Sequence, residues 1–178
     1  PVSLHRPPSN SPVMSLALPW EVIERVIEHS ADSIVTLYSF TLTCSELRRR
    51  STILLLHRVE PKNREKLFAL CALLQARPHL QPCVRSVKIR PSEFSPHPLL
   101  RLLPNLSEID FADEQPLRLK KNFGFTFHPR VLTYCRQFGE HIQTLSLNHI
   151  VFSSLYALSG ILLSFPRIQS LSCSWLHV

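Results

Sequence analysis

Val84-Arg85-Ser86-Val87-Lys88-Ile89 is the stretch on which the fold turns, because its apolar-x-x-apolar-x-apolar spacing returns three times downstream. It recurs as Leu106, Ile109 and Phe111, as Ile142, Leu145 and Leu147, and as Ile168, Leu171 and Cys173, with starts 22, 36 and 26 residues apart. Period-2 spacing at the end of each match predicts a short strand, and a recurrence near 20 to 50 residues marks stacked supersecondary units. Helix-like stretches precede the matches at 64–76, 98–103, 130–138 and 155–164. Strand and helix therefore alternate, the signature of an α/β chain with parallel strands.

Side chains alternate across a strand, so the apolar positions face inward and the residues between them face outward. That assignment gives an outward row of Ser86, Lys88 and Arg90, then Glu108, Asp110 and Ala112, then Thr144, Ser146 and Asn148, then Ser170, Ser172 and Ser174. Such a row serves equally as a recognition surface or as a solvated face with internal pairing, since neighbouring strands set Lys88 beside Asp110. Proline ends two of the helices, at Arg77-Pro78 and Phe165-Pro166, and Gly139 is read as a left-handed cap. In the long middle interval, Phe123, Phe125 and Phe127 alternate as one more strand.

Upstream the text is different. Residues 1–15 hold four prolines and four serines with little apolar periodicity, and are expected to be a flexible tail. Pro19 reads as the first residue of a helix over 19–30, whose Val22, Ile23, Val26 and Ile27 form one stripe. Asp32 or Ser33 then caps a second helix bearing Ile34, Leu37, Tyr38, Phe40 and Leu42. Ser45 caps a third, running through Leu47 to an end at Arg48-Arg49-Arg50, where positive charge suits the helix dipole. A unit so small buries a modest fraction of its surface and needs something to lean on.

The 178 residues, 44% hydrophobic and 19% charged, suit a small module joined to a short array and exclude a disordered polyelectrolyte. No apolar run is long enough to span a bilayer, so no membrane partner is expected. Of the +7 net charge, most lies in residues 61–104, which carry eight basic and two acidic side chains. These are scattered with little aromatic interleaving, so nucleic acid is not the expected partner. Cys44, Cys71, Cys83, Cys135 and Cys173 are odd in number and mostly set in apolar periods, which suggests a reducing compartment, cytoplasm or nucleus.

Chemistry is not written here in any familiar motif. Three glycines cannot build a phosphate loop, and no spacing among the His and Cys residues suits a metal, His128 near Cys135 included. The acidic residues of 108–114 lack the spacing of a calcium loop. The expectation is a non-catalytic protein with no catalytic residues, no metal and no cofactor.

Leu18-Pro19-Trp20-Glu21-Val22-Ile23, followed by Val26-Ile27, Leu37, Phe40, Thr43-Cys44 and Leu47, resembles the F-box. With Leu55-Leu56-His57-Arg58-Val59 leading onward and 165–171 in a late repeat, the chain is most similar to fungal F-box proteins with irregular leucine-rich repeats. The resemblance implies a three-helix F-box-like module over 16–59, then a right-handed leucine-rich-repeat solenoid with parallel strands over 60–178, open to truncation at its C-terminus. It also implies a substrate-recognition subunit of an SCF-type cullin-RING ubiquitin ligase. Adaptor contacts would fall on Leu18, Pro19, Val22, Ile23, Ile27, Leu37, Thr43, Cys44 and Leu47, binding a Skp-type adaptor and through it a cullin. The outward strand row would hold an unknown protein substrate. Where the family usually carries a basic and then an aromatic residue, Ser45, Glu46 and Leu47 stand here. The other reading is a repeat scaffold whose helices are only its N-terminal cap.

Overall fold

A computed structural model describes residues 18–113 and 129–177. The expected tail over 1–15, the strand at Phe123, Phe125 and Phe127, and His128 lie outside the described residues. Three helices open the described chain. α1 (Trp20–His29) starts one residue later than expected, with Pro19 as its N-cap, whose carbonyl accepts from Val22 N–H at 3.0 Å. α2 (Ile34–Thr41) is capped by Ser33, whose Oγ accepts from Thr36 N–H at 3.4 Å.

α3 (Ser45–His57) corrects two expectations. Its N-cap is Cys44, so Ser45 is the first helical residue and no side chain caps the turn. The arginine run lies in its first half, because the apolar residues after it carry the helix on to His57. There the arginines fasten helices together: Arg48 Nε donates to the Thr41 carbonyl at 3.0 Å, and Arg50 pairs with Glu28 of α1. α3 packs against both α1 and α2, and it leads directly into the sheet.

The remainder is mixed α/β. Five strands, β1 (Arg58–Val59), β2 (Ser86–Ile89), β3 (Glu108–Ala112), β4 (Thr144–Asn148) and β5 (Ser170–Ser174), form one parallel sheet in chain order. Between them lie α4 (Arg64–Ala76), α5 (His97–Leu100), α6 (Pro129–Phe138) and α7 (Leu155–Leu162). Parallel strands need such crossovers, since a tight hairpin can join only antiparallel ones. Asn63 caps α4, its Oδ1 accepting from Lys66 N–H at 2.8 Å, and Arg77-Pro78 ends it in a 3-10 turn, Pro78–Cys83. The sequence pattern located β2 to β5 but not β1, a two-residue strand that takes over directly from α3.

The register matches the spacing of the repeat. Val87, Ile109, Leu145 and Leu171 stand side by side, as do Lys88, Asp110, Ser146 and Ser172. β3, β4 and β5 also start alike. The carbonyl of Arg85 accepts from Ser107 and Glu108 N–H, that of Ser107 from Gln143 and Thr144, and that of Gln143 from Gln169 and Ser170. The apolar pattern is the core: Val87, Ile89, Ile109, Phe111, Leu145 and Leu147 are fully buried. Each such side chain contributes roughly 1.5 to 3 kcal/mol by leaving water.

Gly139 is not the left-handed cap that was expected, since no glycine in the described residues has positive φ. It opens a 3-10 turn, Gly139–His141, and its role is room: a Cβ there would stand 2.6 Å from Phe165 Cδ1. The glycine lets the end of α6 touch the ring that closes α7's rung.

Candidate functional site

Two surfaces carry the residues singled out in the sequence. The first is on the helices. Leu18 is 64% exposed, Pro19 and Val22 are exposed, and Ile23 and Leu47 are half-buried. Thr43 and Cys44 are exposed, with Thr43 Oγ1 donating to the Phe40 carbonyl at 2.8 Å at the end of α2. Ile27 and Leu37 must be removed from the contact set, because they are 0% and 1% exposed and form the interior of the bundle. The sequence stripe on α1 was correct as a stripe, but only Ile27 of it is fully enclosed.

Sequence reasoning missed the other half of this surface. Trp20, Val26, Ile34, Val35, Tyr38 and Leu42 are all exposed. Ile34, Val35, Tyr38 and Leu42 fall at i, i+1, i+4 and i+8, a face of α2 other than the one that Leu37 buries. The signal was present: a short helix apolar on more than one side cannot bury itself in so small a bundle. Beside Trp20, between α1 and α3, runs an open groove of about 650 Å³ lined by Glu24, Glu46, Arg49, Arg50 and Ile53.

The second surface is the outward row of the sheet, and it divides in two. On the early strands the charges are compensated locally: Glu60 lies 3.4 Å from both Lys88 Nζ and Arg90 Nη2, and Arg90 Nη1 lies 3.7 Å from Glu93. Ser86, Asp110 and Ala112, expected to face solvent, are buried. Ser86 is a short side chain flanked in register by Arg58 and Glu108. Asp110 is tied into the sheet, its Oδ1 accepting from Asn148 Nδ2 at 2.7 Å, while Ser174 Oγ donates to Asn148 Oδ1. A polar relay thus crosses three strands, as a buried carboxylate requires.

On the late strands the row carries no charge. Thr144, Ser146, Asn148 and Ser174 are half-buried, and Ser170 and Ser172 are exposed. His149 and Trp175 follow at matching positions with φ of 55° and 53°, and their rings stack with centroids 6.0 Å apart and planes 8° from parallel. Left-handed backbone costs an L-residue about 1 to 2 kcal/mol, so both corners are held by the surrounding ladder. His149 N–H donates to the Ser174 carbonyl at 3.0 Å.

All five cysteines are free. Burial pushes the Cys135 thiol up to about 12 and raises those of Cys71 and Cys173. A thiol held protonated is a poor nucleophile, so Cys135 is a core group rather than a reactive one. Among the described residues no group of three or more His, Cys, Asp or Glu is placed to hold a metal ion, and no helix is long and apolar enough to cross a membrane. Comparison with protein-family models, with curated proteins and with solved structures returns no match to this chain.

Proposed function

We propose that this chain is a substrate-recognition subunit of an SCF-type cullin-RING ubiquitin ligase. In this reading α1 to α3 are an F-box-like module that docks on a Skp-type adaptor. The strands and crossover helices are a right-handed leucine-rich-repeat solenoid that presents a target protein. The chain does no bond-making itself; it raises the local concentration of target near a ubiquitin-charged partner.

One observation carries the reading: the Leu18-Pro19 lip, Val22 and Val26 of α1, and Ile34 and Val35 of α2 stand in solvent instead of folding under their own chain. Exposed apolar side chains concentrated on one small module mark a surface that another protein covers. Covering the Leu18 side chain alone is worth roughly 1.5 to 3 kcal/mol. The outward row supports a second contact region, with Thr144, Ser146, Ser170 and Ser172 accessible beside the stacked His149 and Trp175.

Co-purification with the Skp-type adaptor tests the reading. The intact chain should bind, and the Leu18→Ala/Pro19→Ala variant should lose binding while its circular dichroism is unchanged. Failure of the intact chain to bind would remove the ligase assignment. A second reading then stands, in which the helices cap the sheet. It is favoured by the packing of α3 on the Pro78–Cys83 turn and by Leu56 of α3 joining the core of the sheet.

A further inference from the structure

Most of the chain's excess positive charge lies in residues 61–104, and the fold sorts it. Lys88 and Arg90 are matched by Glu60 and Glu93, and the Arg64 guanidinium stands 5.7 Å from the centroid of the Phe68 ring. Lys62 and Lys66 are placed otherwise. With Arg58 they line an open groove of about 510 Å³ between the end of α3 and the start of α4, two elements joined by β1 and residues 60–63. Among the described residues no carboxylate lies within ion-pair distance of these three cations. Glu60, the one carboxylate in the lining, lies 3.4 Å from both Lys88 Nζ and Arg90 Nη2.

The rest of the lining is largely apolar. Val59 and Pro61 are buried, while Leu55 and Leu70 are half-buried, Leu70 packing against the core of the sheet. Lys66 and Leu70, four residues apart, share one face of α4. Arg58, Lys62 and Lys66 are exposed. The groove therefore joins an aliphatic floor to cations whose charge nothing nearby offsets.

We propose that this groove docks an acidic segment of a partner protein, one in which bulky aliphatic side chains are flanked by aspartate or glutamate. The aliphatic side chains cover the Leu55, Val59 and Leu70 floor, and the carboxylates accept from Arg58, Lys62 and Lys66. Exposed ion pairs are individually weak, so the floor must carry part of the affinity. The cations speed encounter with an acidic segment and turn away a basic one.

The lining selects a peptide over other anionic partners. No aromatic ring lines the groove, and single-stranded nucleic acid needs rings on which its bases stack. A phosphate group alone would leave the aliphatic floor in water. A second copy of this chain, at a net +7, would be repelled. The groove shares no residue with the exposed lip on α1 and α2, so the inference stands apart from the ligase reading and adaptor binding does not decide it.

Fluorescence anisotropy of the full chain with a short labelled peptide of alternating leucine and glutamate tests it, at physiological ionic strength, where exposed charges more than about 8 Å apart are largely screened. Saturable binding with a micromolar Kd is expected. Replacing the peptide's leucines by serine, or its glutamates by glutamine, should each weaken binding about tenfold or more. Lys62→Glu/Lys66→Glu should do the same with unchanged circular dichroism. Arg77→Glu/Arg101→Glu, an equal change of charge within the same basic stretch, should leave Kd within about twofold. Absence of saturable binding by the leucine–glutamate peptide overturns the proposal. Equal losses in the two charge-reversed variants do so as well, since net charge alone would then be the attraction. Labelled oligothymidylate bound as tightly as the peptide, and weakened by the same lysine substitutions, would make the groove a nucleic-acid site and overturn it too.

Discussion

The helical module and the sheet use the same apolar residue types to opposite ends. In the sheet, register stacks Val87, Ile109 and Leu145 into a dry interior. In the module, Ile27 and Leu37 are enclosed while Leu18, Ile34, Val35 and Leu42 stay in water. A repeated strand supplies each apolar side chain with a neighbour at a fixed spacing. Three short helices have too little surface for every apolar side chain to find one. Apolar residues therefore mean core in one region and, for several positions, exposed surface in the other.

Substitution can break this contrast. The largest effect is expected at Phe111, fully buried with its ring 6.5 Å from that of Phe165. Phe111→Ala should cost about 3 to 5 kcal/mol in urea unfolding; a cost below 1 would mean that the sheet is not the stabilising region. Gly139→Ala follows at about 1 to 3 kcal/mol, because the added methyl meets the Phe165 ring. Restoring stability with Gly139→Ala/Phe165→Leu would show that the ring is the obstacle.

Ile34→Ser with Val35→Ser on the module should change stability by no more than about 0.5 kcal/mol yet weaken adaptor binding. A large loss of stability would make α2's outer face part of a core after all. Thiol chemistry draws the same line more finely. Iodoacetamide should label exposed Cys44 in the native chain and spare Cys135, with burial holding its thiol protonated up to about 12. The sign follows for stability: above the ordinary thiol range the unfolded chain sheds a proton that the native chain keeps, so Cys135 makes folding less favourable as pH climbs toward that value. Arg167→Ala is also expected to matter little, since it removes a pair with Glu140 whose members are 65% and 61% exposed; the cost should lie within about 0 to 1 kcal/mol.

What the sequence reveals follows the same division. Strand positions and register were legible because a two-residue period and an inward row leave a mark that four repeats reinforce. β1 was not, since two residues have no period, and its Arg58 and Val59 read only as part of the stretch leading out of the helical module. The burial of Asp110 was hidden because its partner, Asn148, lies a rung away. On the helices the exposed apolar set was half legible. Leu18 and Val22 were found, but helical periodicity states which residues share a face without saying which face is turned inward. Ile27 and Leu37 entered the contact set through the F-box resemblance, which does not separate enclosed from exposed positions; Ile34 was named only as a helix residue, and Val35 was not singled out. Gly139 taught a related lesson: its need was for space beside a distant ring, which no local signal carries.

The corners at His149 and Trp175 set the chain in the same backbone state at the close of two successive turns. A segment that starts and finishes in one state can be duplicated in place without bending what flanks it. Residues 150–175 form one complete turn of the chain, running from one left-handed corner to the next, and the stacked His149 and Trp175 rings lock its start to its finish.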